Sequence, residues 1–376
     1  MILKRGSRGV EVVELRDTLI RLGLMASIQS SVEQDLFDEE VEVAVRAFQQ
    51  GRGLTSDGMV GTHTFRALDE ARWRLGDRVI RISAPMMRGD DIALLQTRLM
   101  EMGFDLGRID GIFGPRSAQA LTAFQKSSGL NGDGSCGPET LLALRRLQRT
   151  VTGGLAHGLR ESDAIRRQGP ALSGKRIVID PGHGGDDFGV SAFDLNESEI
   201  VLDVASRIEG RLGALGVAVY LTRGSQSSPI DDGKRAEFAN QSGADLFLSL
   251  HLDANLAPDA RGVATYYYGN DAHGAHSVVG QRLASLIQRE ICARTDLLDC
   301  RVHAKTWELL RNTRMPAVRV ELGYLTNPGD AARLRDGNFR EVLAESLAIA
   351  IQRLYLPDDG EGETGVLRLS DLREKI

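Results

Sequence analysis

At 376 residues, with 42% hydrophobic and 26% charged side chains, the chain is long enough for two or three globular domains, each with its own core. A net charge of −6 and a pI near 5.7 exclude the broad basic face that nucleic-acid binding demands. No apolar run approaches the roughly 20 residues that span a bilayer. The opening MILKRGSRGVEVVELRDTL lacks the apolar stretch and small-residue cleavage site of a secretory signal. Three cysteines, Cys136, Cys292 and Cys300, form an odd set without a Cys-x-x-Cys pair. That fits a reducing compartment and excludes a cysteine-rich zinc site, with a Cys292–Cys300 disulfide as the minor alternative. The direct reading is a cytoplasmic location.

The first 148 residues contain one pattern twice. Val12, Leu15, Leu19 and Leu22 recur as Ile92, Leu95, Leu99 and Met102, in each case a helical stripe. Gly23 and Gly103 follow as helix stops. Further on, Phe48-Gln49 recurs as Phe124-Gln125, and Asp57-Gly58-x-x-Gly61-x-x-Thr64 as Asp133-Gly134-x-x-Gly137-x-x-Thr140. Each copy predicts a small bundle in which two helices pack together and a tight glycine loop leads into a third. The units are residues 1–74 and 80–148. Their spelling resembles the peptidoglycan-binding domain family, three-helix modules appended to many cell-wall hydrolases. The second copy keeps Asp110-Gly111-x-Phe113-Gly114. The first reads Asp35-Leu36-Phe37-Asp38, without either glycine. The plainer alternative for both is a spacer or protein-docking surface.

Residues 149–174 lose the pattern in glycines and charges and read as a linker, with a short helix around 161–167. Then KRIVIDPGHGG, residues 175–185, gives a compact apolar run closed by turn residues. Such a run is a buried parallel strand, and here it delivers His183 on a glycine-rich turn. Three further residues complete a set. Glu197 precedes a helical run with Ile200, Val204 and Ile208. His251 ends the apolar strand around Leu246–Leu250. Glu321 lies in Pro316-Ala317-Val318-Arg319-Val320-Glu321-Leu322-Gly323. Strand ends of one parallel sheet converge on one edge, so positions distant in sequence can meet there. Two histidines and a carboxylate with an open fourth position make the ligand set of a catalytic zinc site. Zinc would lower the pKa of a bound water from about 15.7 to roughly 7, and a further carboxylate could pass the proton to a leaving amine. Spacing alone does not select these four from seven histidines and many acids. Glu199 also sits where the helix dipole favours an acid.

Residues 175–355 resemble the zinc-dependent N-acetylmuramoyl-L-alanine amidase family. The matching segments, in order, are Asp180-Pro181-Gly182-His183-Gly184-Gly185; Glu197 with Leu202 and Ala205; Leu221-Thr222-Arg223; Arg235 with Ala239-Asn240 and Ala244-Asp245; Ser249-Leu250-His251 with Asp253-Ala254; and Pro316-Ala317 through Glu321-Leu322-Gly323-Tyr324-Leu325-Thr326-Asn327. The resemblance implies His183, Glu197 and His251 as Zn2+ ligands and Glu321 as catalytic acid/base. The reaction it implies is cleavage of the amide between N-acetylmuramic acid and L-alanine in peptidoglycan or muropeptide precursors. Arg235, Asp253, Arg311 and Asn327 are candidates for holding the substrate. His273, His276 and His303 fall outside the matched segments and read as surface or rim. Family members kept off by an inserted helix have a long segment before the last strands. Here residues 269–301 are short and read as one helix, 278–293, which predicts no such plug.

A last amphipathic helix, 330–354, should lie on the sheet, and Pro357 ends it. Residues 357–376 are acidic and glycine-rich at first and cannot supply a core. Within them Thr364 is a candidate phosphoacceptor for a phosphothreonine-reading domain, with Ser370 its rival. The expected fold is therefore multidomain. Two three-helix bundles precede an α/β domain, residues 175–356, with a mostly parallel twisted sheet flanked by helices. The same ingredients also resemble cytoplasmic, amidase-like regulators of peptidoglycan precursor synthesis, which act through a precursor-synthesis enzyme when phosphorylated.

Overall fold

A computed structural model describes residues 2–26, 33–147, 156–224, 230–257, 259–270 and 275–356. The first bundle comprises α1 (Val10–Arg21), α2 (Glu39–Gly51) and α3 (Thr62–Ala71). The second comprises α4 (Asp90–Glu101), α5 (Pro115–Ser127) and α6 (Pro138–Arg146). Each closes its own apolar core, around Leu19, Phe37 and Val45 in one and Leu99, Phe113 and Leu121 in the other.

The repeated glutamine explains the repeated loop. Gln49 is buried, and its amide nitrogen lies 2.7–3.0 Å from Asp57 Oδ1, the Met59 carbonyl and the Thr64 hydroxyl. Its Oε1 accepts from the Gly58 N–H. Gln125 repeats every contact with Asp133, Ser135, Thr140 and Gly134. One buried amide thus satisfies the polar groups of a tight turn that would otherwise be orphaned. In the second bundle Gln96 does the same for the turn at Asp110–Ile112. The first bundle has Arg16 there, bonded to the Leu36 carbonyl and paired with Asp38. At the second of the lost glycines, Asp38 caps α2 with its side chain, where Gly114 starts α5 without one.

The α/β domain continues in chain order with α7 (Ala156–Arg167), β1 (Arg176–Pro181), β2 (Ser191–Ala192), β3 (Leu195–Asn196), α8 (Glu197–Ala214), β4 (Ala218–Leu221), α9 (Asp232–Ser242), β5 (Leu246–Asp253), β6 (Val263–Asn270), β7 (Ala275–His276), α10 (Val278–Arg294), β8 (Asp299–Lys305), α11 (Glu308–Asn312), β9 (Ala317–Tyr324), α12 (Pro328–Arg335) and α13 (Gly337–Tyr355). The sheet order is β4-β1-β5-β9-β6-β7, with β8 beside β6. β4, β1, β5 and β9 run parallel, and β6 is antiparallel to β9. α8, α10 and α13 share a core with one sheet face, while α9 and α11 share a second with the other. β2 and β3 form a separate hairpin.

Three expectations need correction or sharpening. The stretch read as a linker contains α7, and that helix is docked. Ile165 joins the main core, and Glu161 accepts from the Ser277 hydroxyl and the Val279 N–H at the start of α10. The last helix is two: Asp336 turns extended and caps α13 with its side chain, so the helical period carries through a break. The helix expected at 278–293 is α10, which packs on β6, β9 and α13. All three cysteines are free thiols.

Both bundles are fixed to the α/β domain through the segment from Lys305 to Thr313. Arg311 pairs with Glu70 of the first bundle at 2.9 Å and donates to the Asp110 carbonyl of the second at 2.6 Å. Arg108 donates to the Leu310 and Thr313 carbonyls. Arg52 joins the bundles to each other through Asp90. Arg311 and Glu70 are only 13% and 12% exposed, so removing the cation strands a largely buried carboxylate. Arg311→Met should lower stability by about 3 kcal/mol and enlarge the radius of gyration in small-angle scattering. An unchanged radius and stability would mean that other contacts hold the junction.

Candidate active site

The alternation of strands decides which side chains reach the site. Register pairs Val178 with Phe247 and Phe247 with Ala317, then Asp180 with Ser249, Ser249 with Arg319, and His251 with Glu321. All of these lie on the face toward α9 and α11. That face is apolar at the start of the strands and polar at their carboxyl ends. The opposite face keeps Ile177, Ile179, Leu246, Leu248, Leu250, Val318 and Val320 in the main core.

Asp180 is fully buried. It accepts from the Thr222 hydroxyl at 2.5 Å, the Ser249 hydroxyl at 2.7 Å and Arg235 Nη1 at 2.5 Å. Burial pushes its pKa up, but Arg235 and the two hydroxyls outweigh burial and hold it below the usual range. Arg235 also donates to the Pro181 and His183 carbonyls. Arg223 donates to the carbonyls of Pro181, Gly182 and Ser198. Two buried arginines therefore gather the turn's carbonyls on one side. His183 is held at φ 59°, a left-handed conformation that costs a side-chain-bearing residue about 1 kcal/mol or more. Its ring is turned the other way.

There it meets Glu197 and His251. Glu197, at the start of α8, is 1% exposed. Its Oε1 lies 3.2 Å from His183 Nε2 and 2.9 Å from His251 Nδ1, and accepts from the Leu252 N–H. Its Oε2 accepts from the Val190 N–H. Burial would raise the Glu197 pKa, yet the bonds from His183 and His251 win and place it well below the carboxylate range. Burial and the nearby Arg319 bring His251 down to about 4, so its ring is neutral. The bond to Glu197 raises His183, whose Nδ1 lies 2.8 Å from Asp187. One ligand atom from each of His183, Glu197 and His251 lies within 4.8 Å of the others.

The donor set and its surroundings fit a metal ion. A carboxylate on the far nitrogen of a histidine, as Asp187 supplies to His183, fixes ring orientation in metal sites. His251 Nε2 and Glu321 Oε2 are buried without hydrogen-bond partners among the described residues, and they come from paired ladder positions. Two glycines keep the space open. A Cβ at Gly182 would strike the His251 ring, and one at Gly189 would sit 2.5 Å from Glu197 Oε2. Glu321 is 4% exposed. Burial raises its pKa against the pull of Arg319, the direction that suits a carboxyl group asked to hold and release a proton.

The four residues expected to hold substrate lie in different surroundings. Arg235 is turned inward on Asp180 and the His183 carbonyl. Asn327 caps α12, accepting from the Gly329 and Asp330 N–H groups. Arg311 lies at the junction with the bundles. Asp253 stays at the rim, bonded to Tyr324 and to the Ala254 N–H. Glu199 is exposed, which leaves Glu197 as the acid that faces the histidines. His303 stacks on Tyr266. Thr364, Ser370 and His273 lie outside the described residues. Sequence reasoning missed the roles of Asp187, Arg223 and Arg319. Asp187 carried a faint signal in its glycine-rich surroundings four residues after His183. Arg319 carried one as a cation inside an apolar strand.

Residues 177–353 match the family model described as N-acetylmuramoyl-L-alanine amidase, and residues 8–68 and 88–144 match the peptidoglycan binding domain. The chain is 45% identical to N-acetylmuramoyl-L-alanine amidase CwlM of Mycobacterium tuberculosis, over 98% of this chain and 93% of that one. It is 31% identical to the germination-specific N-acetylmuramoyl-L-alanine amidase of Bacillus subtilis, over 50% of this chain and 83% of the relative. Among solved structures, an N-acetylmuramoyl-L-alanine amidase of Nostoc punctiforme aligns with a TM-score of 0.44 at 30% identity, covering 48% of this chain and 97% of that one.

The inward set of Arg235 makes it a stability residue. Arg235→Met should cost about 3–5 kcal/mol, because Asp180 is left charged and dry. Adding Asp180→Asn should recover part of that loss. Denaturant titration checks both, and strictly additive losses would contradict the pairing.

Proposed function

Since the chain belongs to the N-acetylmuramoyl-L-alanine amidase family, we propose that it is a zinc-dependent hydrolase of the amide between N-acetylmuramic acid and L-alanine. In this reading His183, Glu197 and His251 hold the ion and Glu321 carries the proton. The observation that supports it most is the His183–Glu197–His251 group, with Glu197 and His251 buried, and Glu321 across the ladder from His251.

Zinc, when bound, supplies a Lewis acid for the scissile carbonyl and for the attacking water. The rest falls to the chain. Asp187 and the arginine-held turn orient His183, while the Leu252 and Val190 N–H groups fix Glu197. The carboxylate of Glu321 takes the proton of the water as it adds to the carbonyl. It then delivers that proton to the L-alanine nitrogen as the C–N bond breaks. Burial favours the protonated form it must pass through.

The test separates holding from chemistry. Purified protein should contain close to one zinc per chain. His183→Ala and His251→Ala should lose it, whereas Glu321→Gln should keep it and lose release of L-alanine-linked peptide from muropeptides by at least ~100-fold. Zinc-free wild type, or full activity in Glu321→Gln, would contradict the reading.

A second role is compatible with the way the bundles are held. The largely buried Arg311–Glu70 pair and the bond from Arg311 to Asp110 join them to the α/β domain, a geometry suited to a compact cytoplasmic scaffold as well as to a tethered hydrolase. In that role, phosphorylation of Thr364 would create a docking point for a phosphothreonine-reading domain linked to precursor synthesis. In cells, Thr364→Ala should then impair function while Glu321→Gln preserves it. The opposite pattern would leave catalysis as the whole role.

A further inference from the structure

Glu321 is gripped at only one of its two oxygens. Arg319, two residues earlier on β9 and therefore on the same face, directs Nε and Nη2 to the single atom Oε1, at 2.8 and 2.7 Å. Oε2 is buried and has no partner among the described residues. Two donors converging on one oxygen fix the rotation of the carboxylate, so Oε2 alone keeps the lone pairs that can take a proton. Without that grip the group could turn and present either oxygen.

Arg319 is fixed from behind. Its guanidinium lies 4.9 Å from the Trp307 ring centroid. Trp307 packs on Tyr266 at 4.7 Å, and Tyr266 is the ladder partner of Arg319 on β6. The residues flanking Trp307 are in turn held by the first bundle. The Thr306 hydroxyl donates to the Arg52 carbonyl at 2.7 Å, and Glu308 accepts from Arg66 at 2.9 Å. A route thus runs from α3 to Glu321 through the partly exposed Arg66–Glu308 pair, the adjoining Trp307 and Arg319.

We propose that Arg319 is a positioning residue for Glu321, aiming Oε2 for proton transfer, and that the first bundle steadies it through Trp307. This rests on the amidase reading above. The competing account is simple charge compensation, in which any cation at position 319 would serve. Lysine distinguishes the two, because its single point charge keeps the compensation but cannot reproduce the two-pronged grip.

In the full chain, Arg319→Lys should retain zinc content, unfolding temperature and KM, while kcat falls about 10- to 100-fold, the scale of a misplaced reacting group. Arg319→Met should fall further in kcat. Wild-type kcat in Arg319→Lys would overturn the proposal. A second measurement does not depend on turnover. The chain has two tryptophans, so in a Trp73→Phe background Trp307 is the sole emitter. Glu321→Ala, which removes the acceptor oxygens, should release Arg319 from its place over the ring and shift the Trp307 emission. Arg66→Ala should shift it too and lower kcat. An emission unchanged by Glu321→Ala overturns the positioning, and one unchanged by Arg66→Ala overturns the link to the bundle. If wild type shows no hydrolysis, the amidase reading fails, and the fluorescence still decides the positioning.

Discussion

One buried carboxylate underlies the rest of the site. Asp180 has no exposed surface, and an isolated charge in that position would be strongly disfavoured. Arg235, Thr222 and Ser249 offset its desolvation, and each comes from a different stretch of the chain. The same Arg235 then holds the His183 carbonyl, so satisfying the buried charge and setting the left-handed turn are one act. With the turn's carbonyls drawn to the arginines, the His183 ring is free to face Glu197 and His251. Glu197 could not stay ionised at such depth without those two rings and two backbone N–H groups.

The N-terminal modules are part of this construction, not appendages to it. Tyr268 donates to the Ile109 carbonyl, and Arg311 reaches both bundles at once. These contacts gather at the start of β9, whose far end carries Glu321. A strand is stiff along its length, so whatever positions its beginning bears on the geometry at its end. Within each bundle the buried glutamines tie the glycine turns to the helices.

Much of this was legible in the sequence, for identifiable reasons. The bundles followed from a repeated helical period and from Gln-Asp-Gly-Thr spellings whose contacts are local. The parallel strands followed from apolar runs closed by turn residues. His183, Glu197, His251 and Glu321 were reachable because strand ends converge and because the surrounding segments resemble a known family. Composition alone could not have picked them. What stayed hidden depends on partners distant in sequence. Arg235 reads as a substrate residue, and Arg223 only as part of a matched segment, until Asp180 and the Pro181–His183 carbonyls are seen beside them. Arg311 needs Glu70, 241 residues earlier, before its place becomes clear. The docking of α7 rests on Glu161 meeting Ser277, which no local pattern announces. The break at Asp336 was masked because α12 and α13 both pack apolar residues on the same core.

The central claim is that two imidazoles and one carboxylate form a zinc site at the carboxyl edge of the sheet. Zinc K-edge X-ray absorption on purified full-length protein tests it most directly. The account predicts a first shell of nitrogen and oxygen only, at about 2.0–2.2 Å, with the outer-shell scattering of two imidazoles. An absent zinc edge, or a sulfur shell at about 2.3 Å, would contradict it.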